Sequence, residues 1–191
     1  PRERDHEYQA EHFDGRWILR SNWQAPNFRI LEASLAGVED RSQWRDLVAH
    51  RDDAFLHGFS AFSEFLAIEE RSGGLRKVRI RRWQGGDDFH LASDEPAYRA
   101  ALGDNEEVGS RTVRYTYTSL TTPATTYDYD VHTGVRTLLK QEPVLGGFDP
   151  ARYVTEYLWV PARDGERVPV AIVHLRDYAR DGTAPLLQYG Y

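Results

Sequence analysis

A chain of 191 residues suits one large domain, or one and a half, and 40% hydrophobic with 13% aromatic residues is ample material for a core. The formal net charge of -6 comes from acidic and basic residues mixed along the whole length, which excludes the clustered basic surface of a nucleic-acid partner. With no cysteine, no apolar run near the ~18 residues of a membrane span and no charged-then-apolar leader, disulfides, cysteine-based zinc sites and a membrane partner are also set aside, and the expectation is a cytosolic protein.

In chain order, short strand-like runs come in threes. "RWILRSN" from Arg16, "FRILEASL" from Phe28 and "WRDLVAH" from Trp44 form one set. "EFLAIEE" from Glu64, "LRKVRIRRW" from Leu75 and "DFHLAS" from Asp88 form a second, and "TVRYTYT" from Thr112, "TTYDYDV" from Thr125 and "VRTLLKQ" from Val135 a third. The first runs start 48 residues apart, and the second runs 47 and 50 apart. Alternation favours strands: Val113, Tyr115 and Tyr117 oppose Arg114, Thr116 and Thr118, while Tyr127, Tyr129 and Val131 oppose Asp128, Asp130 and His132. Gly73-Gly74 and Thr133-Gly134 supply tight hairpin turns.

About four antiparallel strands per ~40 to 50 residues is the pattern of a β-propeller blade. The links Asp52 to Phe62 and Glu95 to Gly109 would supply the strand lining a central channel. Three blades cannot close a ring, so the faces that neighbours should cover are expected to be bare apolar surface.

After Gln141 the repeat fails. "EPVLGGFDPARY" (Glu142 to Tyr153) carries two prolines and the pair Gly146-Gly147, the composition of a linker between domains. "YVTEYLWVPARDGERVPVAIVHL" then reads as two strands about the turn Asp164-Gly165, with Val168, Val170 and Ile172 alternating into a core. The end, "APLLQYGY" from Ala184, reads as a buried strand with nothing after it to cover it. Together with the absence of methionine, by which Pro1 is not a translation start, this raises the expectation of a piece of a longer chain.

Few residues invite a chemical reading. "GFSAF" around Ser60 has Phe62 where a nucleophile elbow needs glycine, so Ser60 reads as an ordinary strand residue. His6 and His12 are spaced for neither a strand nor a helical metal pair. Asp128 and Asp130 share a strand face and read as a solvated edge, and His174 as a satisfied boundary histidine. Asp52-Asp53 and Asp87-Asp88 are expected in turns, bonding local backbone. "RKVRIRRW" (Arg76 to Trp83) reads as a charged strand. No cofactor and no metal site is called for.

"RYTYTSLTTPATTYDYDVHTGVRTLLKQEPV", "LWVPARDGERVPVAIVHLRD" and "PLLQYGY", in that order, resemble the prolyl oligopeptidase family of serine peptidases, and within it the oligopeptidase B branch. The resemblance implies a mainly β chain: about three four-stranded blades of a seven-bladed propeller over residues 1–141, an inter-domain hinge with Gly146 and Gly147 over 142–152, and the first strands of an α/β-hydrolase domain over 153–191. It implies short peptides as substrates and partners, cleaved after Arg or Lys, with the propeller limiting access by size. The second tyrosine of "YGY", Tyr191, would donate its hydroxyl to the oxyanion. Nucleophile, acid and base would lie outside these residues, so this stretch alone is expected to be inert. A proline-specific oligopeptidase and a non-catalytic propeller scaffold are the alternatives.

Overall fold

A computed structural model describes residues 3–190. Among them the regular structure is β-strand, with single 3-10 turns at Arg41–Gln43 and Pro150–Arg152 and no α-helix. The first sheet is the antiparallel meander β1 (Tyr8–Phe13), β2 (Arg16–Ser21), β3 (Arg29–Ser34) and β4 (Arg45–Val48). The second is β5 (Ala54–Ala61), β6 (Phe65–Ser72), β7 (Leu75–Arg82) and β8 (Phe89–His90). The third is β9 (Tyr98–Leu102), β10 (Thr112–Ser119), β11 (Thr125–Asp130) and β12 (Arg136–Gln141). One parallel bridge, Arg76 to Arg99, joins the second and third meanders edge to edge into one eight-stranded sheet, whose two halves are the second and third sheets. A separate hairpin, β13 (Tyr153–Pro161) and β14 (Arg167–Leu175), follows.

Side-chain alternation explains why the meanders stack. On β6, Phe65 and Ala67 enter one apolar cluster while Leu66 and Ile68 enter another, so the strand is buried on both faces. The first of these clusters joins the second and third sheets through Phe62, Val78, Ile80, Val113, Tyr115 and Tyr117. The other joins the first and second through Phe13, Ile18, Ile30, Leu56 and Phe59. The links at Asp52 to Phe62 and Glu95 to Gly109 do contain the leading strands β5 and β9. Gly73 and Gly74 carry positive φ (56° and 79°), as the tight turn between β6 and β7 requires.

Two expectations need correction. The outer face of the first sheet is not bare: Leu19, Leu31 and Ala33 are buried there, packed by Trp17 and by Val38 and Trp44 from the β3–β4 connection. The outer face of the third sheet is polar rather than apolar, carrying Arg114, which grips Asp128 with two bonds of 2.9 Å. Secondly, residues 184–190 form no strand; Leu186 and Leu187 are 85% and 93% exposed. A strand exists through its ladder partners, and none of the described residues pairs with this segment. For the same reason the β14 alternation is only half realised: Val170, Ile172 and His174 are half-buried, but Val168 is exposed.

Candidate functional site

The sheets meet the last hairpin at two loops, one of which is organised around a cluster of hydroxyls and a carboxylate. The loop after β10, Ser119-Leu120-Thr121-Thr122-Pro123, curls because the Ser119 hydroxyl accepts the amides of Thr121 (3.0 Å) and Thr122 (2.8 Å). That fold turns three hydroxyls inward onto one carboxylate. Glu95 Oε1 accepts from Ser119 and Thr121, each at 2.5 Å, and Oε2 from Thr122 at 2.8 Å and the Tyr117 phenol at 2.6 Å. Burial alone would push the Glu95 carboxyl up; the four hydroxyls outweigh it and hold it below the ordinary glutamate value. Burial and the same carboxylate push the Tyr117 phenol upward. Glu95 therefore stays ionised and acceptor-only, a fixed point around which the loop is organised.

From this loop the Thr121 hydroxyl reaches Thr155 on β13 at 3.5 Å. Beside it the β6–β7 turn receives the hairpin, with the Tyr157 hydroxyl donating to the Gly73 carbonyl at 2.9 Å. A Cβ at Gly74 would run into the Tyr157 hydroxyl and the Pro169 ring. This docking is small, polar and dependent on glycine. Between β12 and the hairpin, 142–149 has no regular structure, and Gly146 and Gly147 take φ of 89° and 80° with open space where a side chain would be.

Residues singled out from the sequence fall elsewhere. Ser60 sits mid-strand on β5, paired with Ala67. His6 bonds Ser21 through Nε2 (2.8 Å) and lies beside Arg41; burial, then the Arg41 charge, lowers its pKa. His12 lies edge-on to Trp17, 5.5 Å away. Asp130 caps the turn before β12 by accepting the amides of His132 and Thr133, both at 2.9 Å. His174 bonds the Leu175 carbonyl at 2.7 Å and Glu156 at 2.9 Å, which in that order raise its pKa. The aspartate pairs differ from expectation: Asp53 takes both ends of the Arg51 guanidinium (2.9 and 2.6 Å), and Asp88 bonds Arg79 at 2.6 Å, because arginines within reach outcompete neutral amides for a carboxylate. Tyr191 lies outside the described residues.

The charged strand proves less solvated than its sequence reads. Glu70 on β6 is fully buried and holds Arg79 (3.0 Å) and His90 (2.8 Å). Burial works against the Glu70 carboxyl, but bonds from His90 and the charge of Arg79 bring it below its ordinary value. Neither Glu70 nor Glu95 stood out in the sequence. The one available signal for Glu95 is the run of hydroxyls in "TSLTT", which needs an acceptor once the loop is half-buried.

Stacked four-stranded antiparallel meanders, each leading with its innermost strand, are blades of a β-propeller. The model of the family "Prolyl oligopeptidase, N-terminal beta-propeller domain" matches residues 1–142, and the chain belongs to that family of serine peptidases. It is similar to Dipeptidyl aminopeptidase BI of Pseudoxanthomonas mexicana (48% identity over 100% of this chain and 26% of that protein) and to Protease 2 of Moraxella lacunata (30%, over 96% and 26%). Among solved structures, oligopeptidase B from Trypanosoma brucei with covalently bound antipain overlays with a TM-score of 0.79 at 27% identity, covering 94% of this chain and 26% of that one. Oligopeptidase B from Leishmania major gives 0.77 at 28%, over 93% and 26%. The chain thus spans about a quarter of the length of the relatives it matches.

Proposed function

We propose that these residues are the closing blades of the propeller and the first strands of the hydrolase domain of an oligopeptidase B-like serine endopeptidase, which cleaves short peptides after Arg or Lys. The observation that carries this reading is that the likeness to relatives continues past residue 142, the end of the family match, through the hairpin. In this reading 1–141 is propeller, 142–152 the hinge with Gly146 and Gly147, and 153–191 the start of the hydrolase sheet. Propeller and hydrolase then separate where the contacts are fewest, at the polar docking of the hairpin on the Gly73-Gly74 turn. Opening there admits narrow, flexible peptides and refuses folded proteins. Tyr191 is assigned the oxyanion hydroxyl.

A second reading, release of dipeptides from free N-termini, is favoured by the 48% likeness to a protein named Dipeptidyl aminopeptidase BI. One assay on the full-length protein separates the readings. Cleavage after Arg in an N-terminally blocked reporter supports the endopeptidase, and cleavage only when the N-terminus is free supports dipeptide release. Cleavage after Pro identifies the proline-specific alternative, and none at all the scaffold. In the active protein, Tyr191→Phe should lower kcat by roughly 10² to 10³, the loss typical of one oxyanion donor; an unchanged kcat removes that role.

A further inference from the structure

Strands β6, β7 and β9 bring together, beside β5, a concentration of positive charge that the stacking of blades does not explain. Along β5, Ala54 and Leu56 are buried, but the next buried residues are Phe59 and Ala61, which share an apolar cluster with Leu56. The phase breaks at a β-bulge between Leu56 and Gly58, with His57 the extra residue. A bulge re-aims one side chain at some cost in pairing. Here the imidazole lies against the Phe55 ring, 4.8 Å away, within electrostatic reach of Arg76, Arg71, Arg20 and Arg99, and its Nε2 is buried without a hydrogen-bond partner among the described residues.

The arginines are not scattered. Arg71 faces Arg76 across the β6–β7 ladder, and Arg76 faces Arg99 across the parallel bridge, so three guanidinium-bearing residues form one row over three adjacent strands. Like charges directly opposite one another destabilise a sheet. Only Arg76 is answered, by Glu69; exposed Arg71 and Arg99 have no ion-pair partner among the described residues, and Arg20 bonds a carbonyl, that of Leu56, at 2.7 Å. Burial first, and then the four positive charges, lower the His57 pKa to about 4, so the ring is neutral near pH 7 and adds no further positive charge to the cluster. Repulsion of this kind is relieved by an anion with two or more acceptor oxygens, which guanidinium groups bind through paired bonds.

Arg71 and Arg76 flank the Gly73-Gly74 turn on which the hairpin docks. We propose that Arg71 and Arg99, beside the neutral ring of His57, form a carboxylate subsite that takes the C-terminal carboxylate of a short peptide at the propeller end facing the hydrolase domain. This rests on the peptidase reading for its ligand, but not for the existence of the anion site. A grip on the free C-terminus selects peptides by length from that end, a discrimination that a size filter alone does not provide.

The test uses the full-length protein and internally quenched peptides of one sequence ending in a free acid or an amide. The acid should be preferred roughly tenfold or more in kcat/KM, as one charge-assisted contact supplies. Arg71→Gln with Arg99→Gln should remove that preference while leaving the amide within about twofold, and Arg71→Lys should restore it in part. Equal cleavage of acid and amide by the unaltered protein, or an equal fall of both in the variant, overturns the proposal. So does displacement by millimolar inorganic phosphate with no acid preference, which marks a phosphate site. Should no peptide be cleaved, calorimetric titration with the same acid and amide decides: acid-selective binding lost in the double variant upholds the subsite while the peptidase reading falls, and equal binding sinks it.

Discussion

The contact between the second and third sheets and the contact between those sheets and the β13–β14 hairpin are built on opposite principles. The first is a continuous apolar layer in which Phe62 stacks on Phe65 with centroids 4.4 Å apart, and Val78, Ile80, Val113 and Tyr115 are at most 1% exposed. The second is a phenol on a carbonyl, two threonine hydroxyls 3.5 Å apart, and a glycine turn against a proline ring. Apolar layers resist sliding because interiors are close-packed, whereas a few exposed polar bonds exchange readily with water. The molecule is therefore firmly packed across its blades and lightly seated at the hairpin.

The contrast breaks first, and hardest, at Phe65. Phe65→Ala leaves a cavity at the centre of the blade layer and should cost about 3–5 kcal/mol, read as a loss of hydrogen-exchange protection across β6, β7 and β10. Leu158→Ala, on the 40% exposed hairpin surface, should cost within about 0.5 kcal/mol. Comparable losses at the two sites would mean that the hairpin is as deeply anchored as the blades.

Glu70 comes next. Glu70→Gln leaves Arg79 buried beside a neutral amide and should cost about 3 kcal/mol, again confined to the blades. The pH dependence has a definite sign. The folded Glu70 pKa lies below its unfolded value, so its contribution is present above that unfolded value and is lost as pH falls through the folded one. His57, lowered from 6.5 to about 4, adds in the same direction: between those pH values the unfolded chain binds more protons, so stability falls as the solution is acidified. Thermal midpoints measured between pH 7 and 4 should therefore drop, and His57→Gln should flatten the upper part of that slope. A midpoint insensitive to pH over this range would show that neither group is held as the structure places it.

How far the sequence alone reaches follows the same division. Strand phase is a local property, so Val113, Tyr115 and Tyr117 could be set on one face from alternation, and Gly73-Gly74 recognised as a turn from its need for positive φ. The cover over Leu19 and Leu31 was not legible, because Trp44 reaches them through a loop whose path no periodicity encodes. The His57 bulge was not legible, because Phe55, His57, Phe59 and Ala61 fit an unbroken alternation as well as Ala54, Leu56, Phe59 and Ala61 fit an inserted residue. Glu95 was invisible for a different reason, since its partners come from one loop some two dozen residues further on, and a carboxylate in a polar link looks like any solvated one until that loop closes over it.

Glu95 offers a smaller, sharper test of the boundary between the two regions. Glu95→Gln keeps the shape but replaces one acceptor oxygen by a donor that faces hydroxyls, and should cost about 1–2 kcal/mol. Its effect should spread from the Ser119 to Thr122 loop into β13 through Thr155, leaving the Phe65 layer protected. Exchange that rises in the blade core but not in β13 would disconnect Glu95 from the hairpin.

The smallest global effect and the most local one belongs to Gly74. Alanine there must accept φ of 79° and meets the Tyr157 hydroxyl and Pro169 with its Cβ. The left-handed backbone costs about 1 kcal/mol, small beside the cavity at Phe65, but the clash acts on the docking itself. Gly74→Ala should therefore expose Trp159 and speed exchange through β13 and β14 while the blades keep their protection. Gly85→Ala, at φ of 63° with open space about its Cβ, shares the strain without the clash and separates the two causes. If both alanines loosened the hairpin equally, the loss would lie in turn strain alone, and the seat formed by Tyr157 and Pro169 would have no part in holding the two regions together.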